Sequence, residues 1–117
     1  MNNIAKLATH HISNIVLKVG GNFFEYEQAQ ASFFASVAPL KNQGHNVAVV
    51  DGGGSQLQTQ LTALGFKSEK HKGLRVSPDE QMPTVTGILA GTLNKKMVCL
   101  AAKAGLTDVG ISLADGN

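Results

Sequence analysis

Cysteine is nearly missing from this 117-residue chain: Cys99 stands alone, which excludes an internal disulfide framework and any metal site built from several thiolates. A reducing cytoplasm is the compartment that fits. Tryptophan is absent and aromatic residues amount to 5%, so few flat surfaces are on hand for single-stranded bases to stack on. Charge is also scarce: 10 Lys and Arg face 8 Asp and Glu, a net +2 with no block of one sign, too mild a surplus for a nucleic-acid footprint. Apolar runs such as 48–50 and 98–102 fall far short of the ~20 residues that cross a bilayer. The first 13 residues lack the apolar centre of a secretory signal. Composition therefore predicts a cytoplasmic protein with neither nucleic acid nor a membrane as partner.

What remains is an ordinary globular mixture, 43% apolar and 15% charged, at a length that suits one domain around one core. Residues 1–13 (MNNIAKLATHHIS) read as a flexible leader, because the adjacent His10 and His11 do not face one metal position on a helix or a strand. Residues 14–117 read as the domain.

Within it, residues 14–19 (NIVLKV) form a β-branched run ending at Gly20 and Gly21, which predicts a buried strand and a tight turn. Between residues 25 and 43, Ala29, Phe33, Phe34, Val37 and Leu40 recur at steps of three and four. That spacing predicts a helix, with Pro39 as a kink or early end and Gly44 as a left-handed stop. Residues 46–50 (NVAVV) predict a second continuous apolar strand, running into Gly52, Gly53 and Gly54. Ser55 is placed to cap a short helix bearing Leu57, Leu61 and Leu64, with Gly65 after it.

The charged stretch 66–76 (FKSEKHKGLRV) predicts a hairpin turning at Lys72 and Gly73. Ser77, Pro78 and Glu80 carry the pattern of a capping box, so a long helix is expected from there to Gly105 through Met82, Val85, Leu89, Leu93, Met97 and Leu100. Gly87 and Gly91, four apart on it, would let a partner backbone approach. Residues 109–113 (VGISL) predict a last strand. The order β, α, β, α, hairpin, α, β specifies a layered α/β domain with a mainly parallel sheet.

In such sheets ligands bind beyond the carboxyl ends of the strands, where Gly20 with Gly21, the 52–54 glycines, and Asp115 with Gly116 would gather. Glycines there let backbone N–H groups approach an anion, and the helices that follow point their positive ends at it. Lys18 would add a charge suited to phosphoryl oxygens. Taken singly, each glycine turn is more simply a turn, and Arg75 within a basic stretch is more simply a solvated charge. Neither a GxxxxGK[ST] loop nor a GxGxxG fingerprint is present.

Taken together, LKVGG (17–21), VDGGG (50–54), KGLRVS (72–77), TGILAGTLNK (86–95) and VGISLADG (109–116) resemble the acetylglutamate kinase family of the amino acid kinase superfamily, in order and spacing. The resemblance implies an α/β/α amino acid kinase fold and transfer of the γ-phosphoryl group of ATP, with Mg2+, to the side-chain carboxylate of N-acetyl-L-glutamate in arginine biosynthesis. It implies that Lys18 stabilises the transferring phosphoryl group and that Gly20 and Gly21 contact it. Gly52 and Gly53 resemble the pair whose amides hold the reacting carboxylate and phosphoryl oxygens. Arg75, with Leu74 beside it, resembles the arginine that grips the substrate's α-carboxylate, a task a planar fork suits. A homodimer built on the long helix, or pairing with a complementary half, is the assembly implied.

Two departures stand out. Asp51 occupies a position where the family usually has His, and family members are longer, with most of the ATP site in their second half. The chain thus resembles an amino-terminal, acyl amino acid binding half, and the expectation is that alone it is no competent kinase. A non-catalytic acyl amino acid binding module, or a dimerising interaction protein derived from the fold, is the alternative.

Overall fold

The two β-branched runs fold as expected. β1 (Asn14–Val19) and β2 (Asn46–Asp51) lie side by side in parallel, in register from Asn14 opposite Asn46 to Val19 opposite Asp51, in the computed structural model, which describes residues 11–20 and 22–116. Of residues 1–13, expected as a leader, only 11–13 fall within the described residues; they carry no regular element, and the Ser13 carbonyl accepts the Asn46 amide at 3.0 Å. Continuous apolar runs predict burial on both faces, but burial alternates: Ile15, Leu17 and Val19 turn inward with Val47, Val49 and Asp51, while Val16 and Val50 face out. Among the described residues this sheet has two strands, and one of its faces is covered.

α1 (Glu27–Asn42) links the strands and buries Gln30, Phe34 and Val37, one stripe at steps of four and three. Pro39 sits inside its last turn rather than ending it, and Gly44 at φ +87° stops the chain. Between β1 and α1 the chain makes a 3-10 turn (Phe23–Glu25) whose rings stack edge-on, Phe23 at 5.4 Å from both Phe24 and Phe33. The buried Gln30 amide donates to the Phe23 carbonyl at 3.0 Å, so the segment after Gly20 is fastened to α1.

α2 (Gly54–Ala63) buries Leu57 and Leu61 and ends at Gly65, φ +82°, with Phe66 N–H bonded back to the Leu61 carbonyl at 2.9 Å. β3 (Glu69–His71) and β4 (Leu74–Val76) form the expected hairpin. Lys72 at φ +49° and Gly73 at φ +81° make a two-residue turn with both φ positive, the hand that matches strand twist.

The long helix runs from a 3-10 turn (Asp79–Gln81) through α3 (Met82–Thr86), a π-helical stretch (Gly87–Leu93) and α4 (Asn94–Lys103). Leu57, Leu61, Val85, Ile88 and Leu93 enclose the core with Phe24.

Three expectations need correction. Ser55 does not cap α2; Gly53, left-handed at φ +59°, takes that place, and the Ser55 hydroxyl bonds Gln56 Oε1 at 2.7 Å. Pro78 in extended conformation, not Ser77, precedes the long helix, with no side-chain cap bond. Gly87 and Gly91, by contrast, keep open space beside them within the described residues, room for such an approach. Residues 109–113 form no strand: Val109, Ile111 and Leu113 are exposed. Instead, Asn94 Nδ2 donates to the Ile111 carbonyl at 2.9 Å and Lys95 Nζ to that of Gly110 at 3.4 Å, holding the segment on α4. Gly110 permits this approach, since a Cβ there would meet the Asn94 and Val98 side chains.

Candidate functional site

The hairpin register decides what stands opposite Arg75. A two-residue turn at 72 and 73 pairs His71 with Leu74 and therefore Lys70 with Arg75. Two cations face each other across one ladder, an arrangement that by itself costs on the order of 0.2–1 kcal/mol. An anion between them reverses that sign. Both line an open cleft of about 400 Å³ together with Gly73 of the same hairpin and with Gly54, Ser55 and Gln58 from the first turns of α2.

Each wall has a visible support. The Arg75 guanidinium donates through Nη1 to the Ser68 hydroxyl at 2.8 Å, which leaves its full charge in place because the acceptor is neutral. Gln81, buried at the start of the long helix, donates through Nε2 to the Lys67 carbonyl at 3.2 Å, tying the segment that leads into the hairpin to the helical core. Opposite, the N-terminal end of α2 presents its amides and the positive end of its dipole. A half-buried guanidinium, an ammonium and a helix N-terminus around one cleft give it a charge complementary to a carboxylate.

The other expected site residues fall around this cleft unevenly. Leu74 is 75% exposed, on the hairpin beside Arg75. Gly52 is exposed and Gly53 buried, directly before α2. Gly53 needs to be glycine for two reasons: its φ is +59°, and a Cβ would collide with the side chains of Leu89 and Leu93 from the π-helical stretch. Its amide donates to Asp51 Oδ1 at 3.0 Å. Lys18 and Gly20, at the end of β1, are exposed. Lys18 stands opposite Val50 on the outward face of the sheet, away from the lining of the cleft. Gly21 lies outside the described residues.

Asp115 and Gly116, expected at the same strand ends, instead close a local turn. The Ser112 amide donates to Asp115 Oδ2 at 2.5 Å and the Ser112 hydroxyl bonds the same oxygen at 3.0 Å. The amide first and the hydroxyl second hold the Asp115 carboxyl below its ordinary value, with a smaller contribution from Lys95.

Lys70 is exposed, as its place in a charged hairpin implies, and lines the cleft as well; Ser68, Gln58 and Gln81 belong to none of the motifs. For Lys70 a signal existed, because the turn at 72 and 73 fixes the pairing that brings it beside Arg75. Gln81 had none, since its role depends on a backbone carbonyl 14 residues away in sequence.

The fold agrees with that of known proteins that the chain resembles. It belongs to the amino acid kinase family, whose family model matches residues 13–117. It is 47% identical over 105 residues to an acetylglutamate kinase of Shewanella sp. (strain W3-18-1), covering 90% of this chain and 40% of that protein. To an acetylglutamate kinase of Shewanella loihica it is 48% identical over 102 residues, 87% of this chain and 39% of the relative. The chain thus spans about two fifths of the length of these curated relatives. Among solved structures, N-acetylglutamate synthase from Neisseria gonorrhoeae, complexed with coenzyme A and N-acetyl-glutamate, matches 84% of this chain and 22% of its own. That match has a TM-score of 0.65 at 17% identity, a likeness of fold. No helix among the described residues is long and apolar enough to cross a membrane.

Proposed function

We propose that this chain forms the acyl amino acid binding part of an acetylglutamate kinase-type, cytoplasmic enzyme, and that its ligand is N-acetyl-L-glutamate or a related acyl amino acid. The observation that carries this reading is the cleft itself, where Arg75 and Lys70 on the hairpin face the N-terminus of α2. Arg75 takes the α-carboxylate, since its fork offers two parallel donors to one planar acceptor. The side-chain carboxylate then points along the start of α2, toward Gly52 and Gly53.

Lys18, Gly20 and Gly21 are the phosphoryl side of this reading. An exposed ammonium next to a glycine turn suits the charge of a nucleotide's terminal phosphate. Among the described residues no group of three or more His, Cys, Asp or Glu side chains converges on a metal position; Mg2+ would enter on the ATP phosphates, as it commonly does. ATP with Mg2+ supplies the phosphoryl group when bound. Phosphoryl transfer is almost wholly positioning and charge stabilisation. Lys18 and the glycines are one side of such a clamp, so the 117-residue chain on its own holds the acyl amino acid without turning it over. A homodimer, or pairing with a chain that carries a nucleotide site, is the assembly this reading implies.

Calorimetric titration of the folded chain with N-acetyl-L-glutamate tests it. Saturable binding is expected, weakened roughly 10- to 100-fold in Arg75→Ala, the usual scale for losing hydrogen bonds to a charged group. Equal affinity in the variant, or no binding by a folded chain, overturns the reading. A non-catalytic module holding the same ligand is the second reading; Asp51 favours it, since its carboxylate on the Gly53 amide puts a negative charge where a reacting carboxylate would lie. Affinity indifferent to MgATP is its mark.

A further inference from the structure

The Gly53 amide already has an acceptor, and it is anionic. Gly53 N–H donates to Asp51 Oδ1 at 3.0 Å, and the other carboxylate oxygen lies 3.8 Å from where a Cβ on Gly53 would stand. Three constraints keep the amide facing that way: the left-handed φ of +59°, the packing of Leu89 and Leu93 against Gly53, and the helix that starts at the next residue. Asp51 is itself placed by the sheet. As the last residue of β2, in register with Val19, it is half-buried on the covered face, one residue before the glycines. A carboxylate at the N-terminal end of a helix is in its most favourable position, charge toward dipole and acceptor toward N–H. Those are the features that the acidic end of a ligand would use in the same place.

We propose that Asp51 is a specificity-determining residue of this site: its carboxylate occupies the Gly53 amide, so a ligand whose distal end is anionic binds only by displacing it, while one with a neutral distal end escapes the repulsion. The inference rests on the reading of the cleft as an acyl amino acid site with Gly52 and Gly53 at its distal end. Removing the negative charge at Asp51 therefore favours acidic ligands selectively, and leaves the grip on the α-carboxylate by Arg75 as it was.

A pair of nearly isosteric probes isolates the effect. N-acetyl-L-glutamate and N-acetyl-L-glutamine share the α-carboxylate and differ in the charge of the distal end. Both are titrated into the full chain and into Asp51→Asn, which keeps an oxygen acceptor for the Gly53 amide and thereby the turn. The variant is expected to bind N-acetyl-L-glutamate about tenfold more tightly, on the scale of one close like-charge contact removed. For N-acetyl-L-glutamine the change stays within about twofold by the same argument. Asp51→Ala, which also frees the amide, moves the ratio in the same direction, and the Gly53 amide proton resonance shifts with it.

Arg75→Ala, run alongside, separates the two ideas. If binding depends on Arg75 and the ratio of the two affinities is the same in wild type and Asp51→Asn, the proposal about Asp51 falls while the site stands. If the ratio moves but Arg75→Ala leaves both affinities unchanged, the assignment of the α-carboxylate grip falls instead. If neither probe binds any folded variant, both fall.

Discussion

Leu61 and Val16 are both apolar residues on regular elements, yet Leu61 is fully buried at 0% exposure and Val16 is 69% exposed. The difference divides the molecule. On one side α2, the long helix and the phenylalanine turn close a core, and the hairpin is fastened to it through Phe66 and Gln81. On the other, β1 and β2 present an outward face with Val16 and Val50, and residues 109–113, held to α4 by side-chain donors, have no strand partner among the described residues and leave Val109 at 83% exposure. The cleft with Arg75 and Lys70 belongs to the closed side and Lys18 to the open one. The proposed grip on an acyl amino acid would therefore be supported by packed structure, as a preorganised grip needs. The proposed phosphoryl side has less of that support.

Three substitutions sharpen or break this contrast. Leu61→Ala should remove roughly 2–5 kcal/mol of stability, the usual loss for a fully buried leucine whose surroundings cannot collapse. Denaturant unfolding reads it, and a loss below about 1 kcal/mol would mean that the helical side is not where stability resides. Gly53→Ala comes next, at about 2 kcal/mol, combining a left-handed φ with crowding against Leu89 and Leu93. It should also shift amide resonances in the first turn of α2. Val16→Lys should fall within about 0.5 kcal/mol, as exposed substitutions do. A larger loss there would show the outer sheet face to be covered in solution, and the contrast would fail.

Locally encoded features were the legible ones. β1 has the expected bounds, β2 extends one residue beyond them to Asp51, and the turn at Lys72 and Gly73 forms as the glycine and the flanking runs demand. Arg75 was singled out through motif resemblance rather than through the basic stretch, whose lysines look the same in one dimension; that it faces the start of α2 was not legible. What escaped was non-local. Residues 109–113 have a strand's composition, but a strand exists only with a neighbour to pair, and here α4 supplies side-chain donors instead. Ser55 lost the cap of α2 because a left-handed glycine with a carboxylate two residues upstream ends the strand and begins the helix two residues earlier. The π-helical turn spanning Gly87–Leu93 has the same apolar spacing as an α-helix in sequence, so periodicity alone does not distinguish it.

The two-residue loop of the hairpin acts as a ruler for recognition. Side chains alternate sides along a strand, so one residue added between His71 and Leu74 would turn the guanidinium of Arg75 to the other side of the ribbon and part it from Lys70. The length of this loop, more than the charges around it, is what keeps the cationic pair on one face.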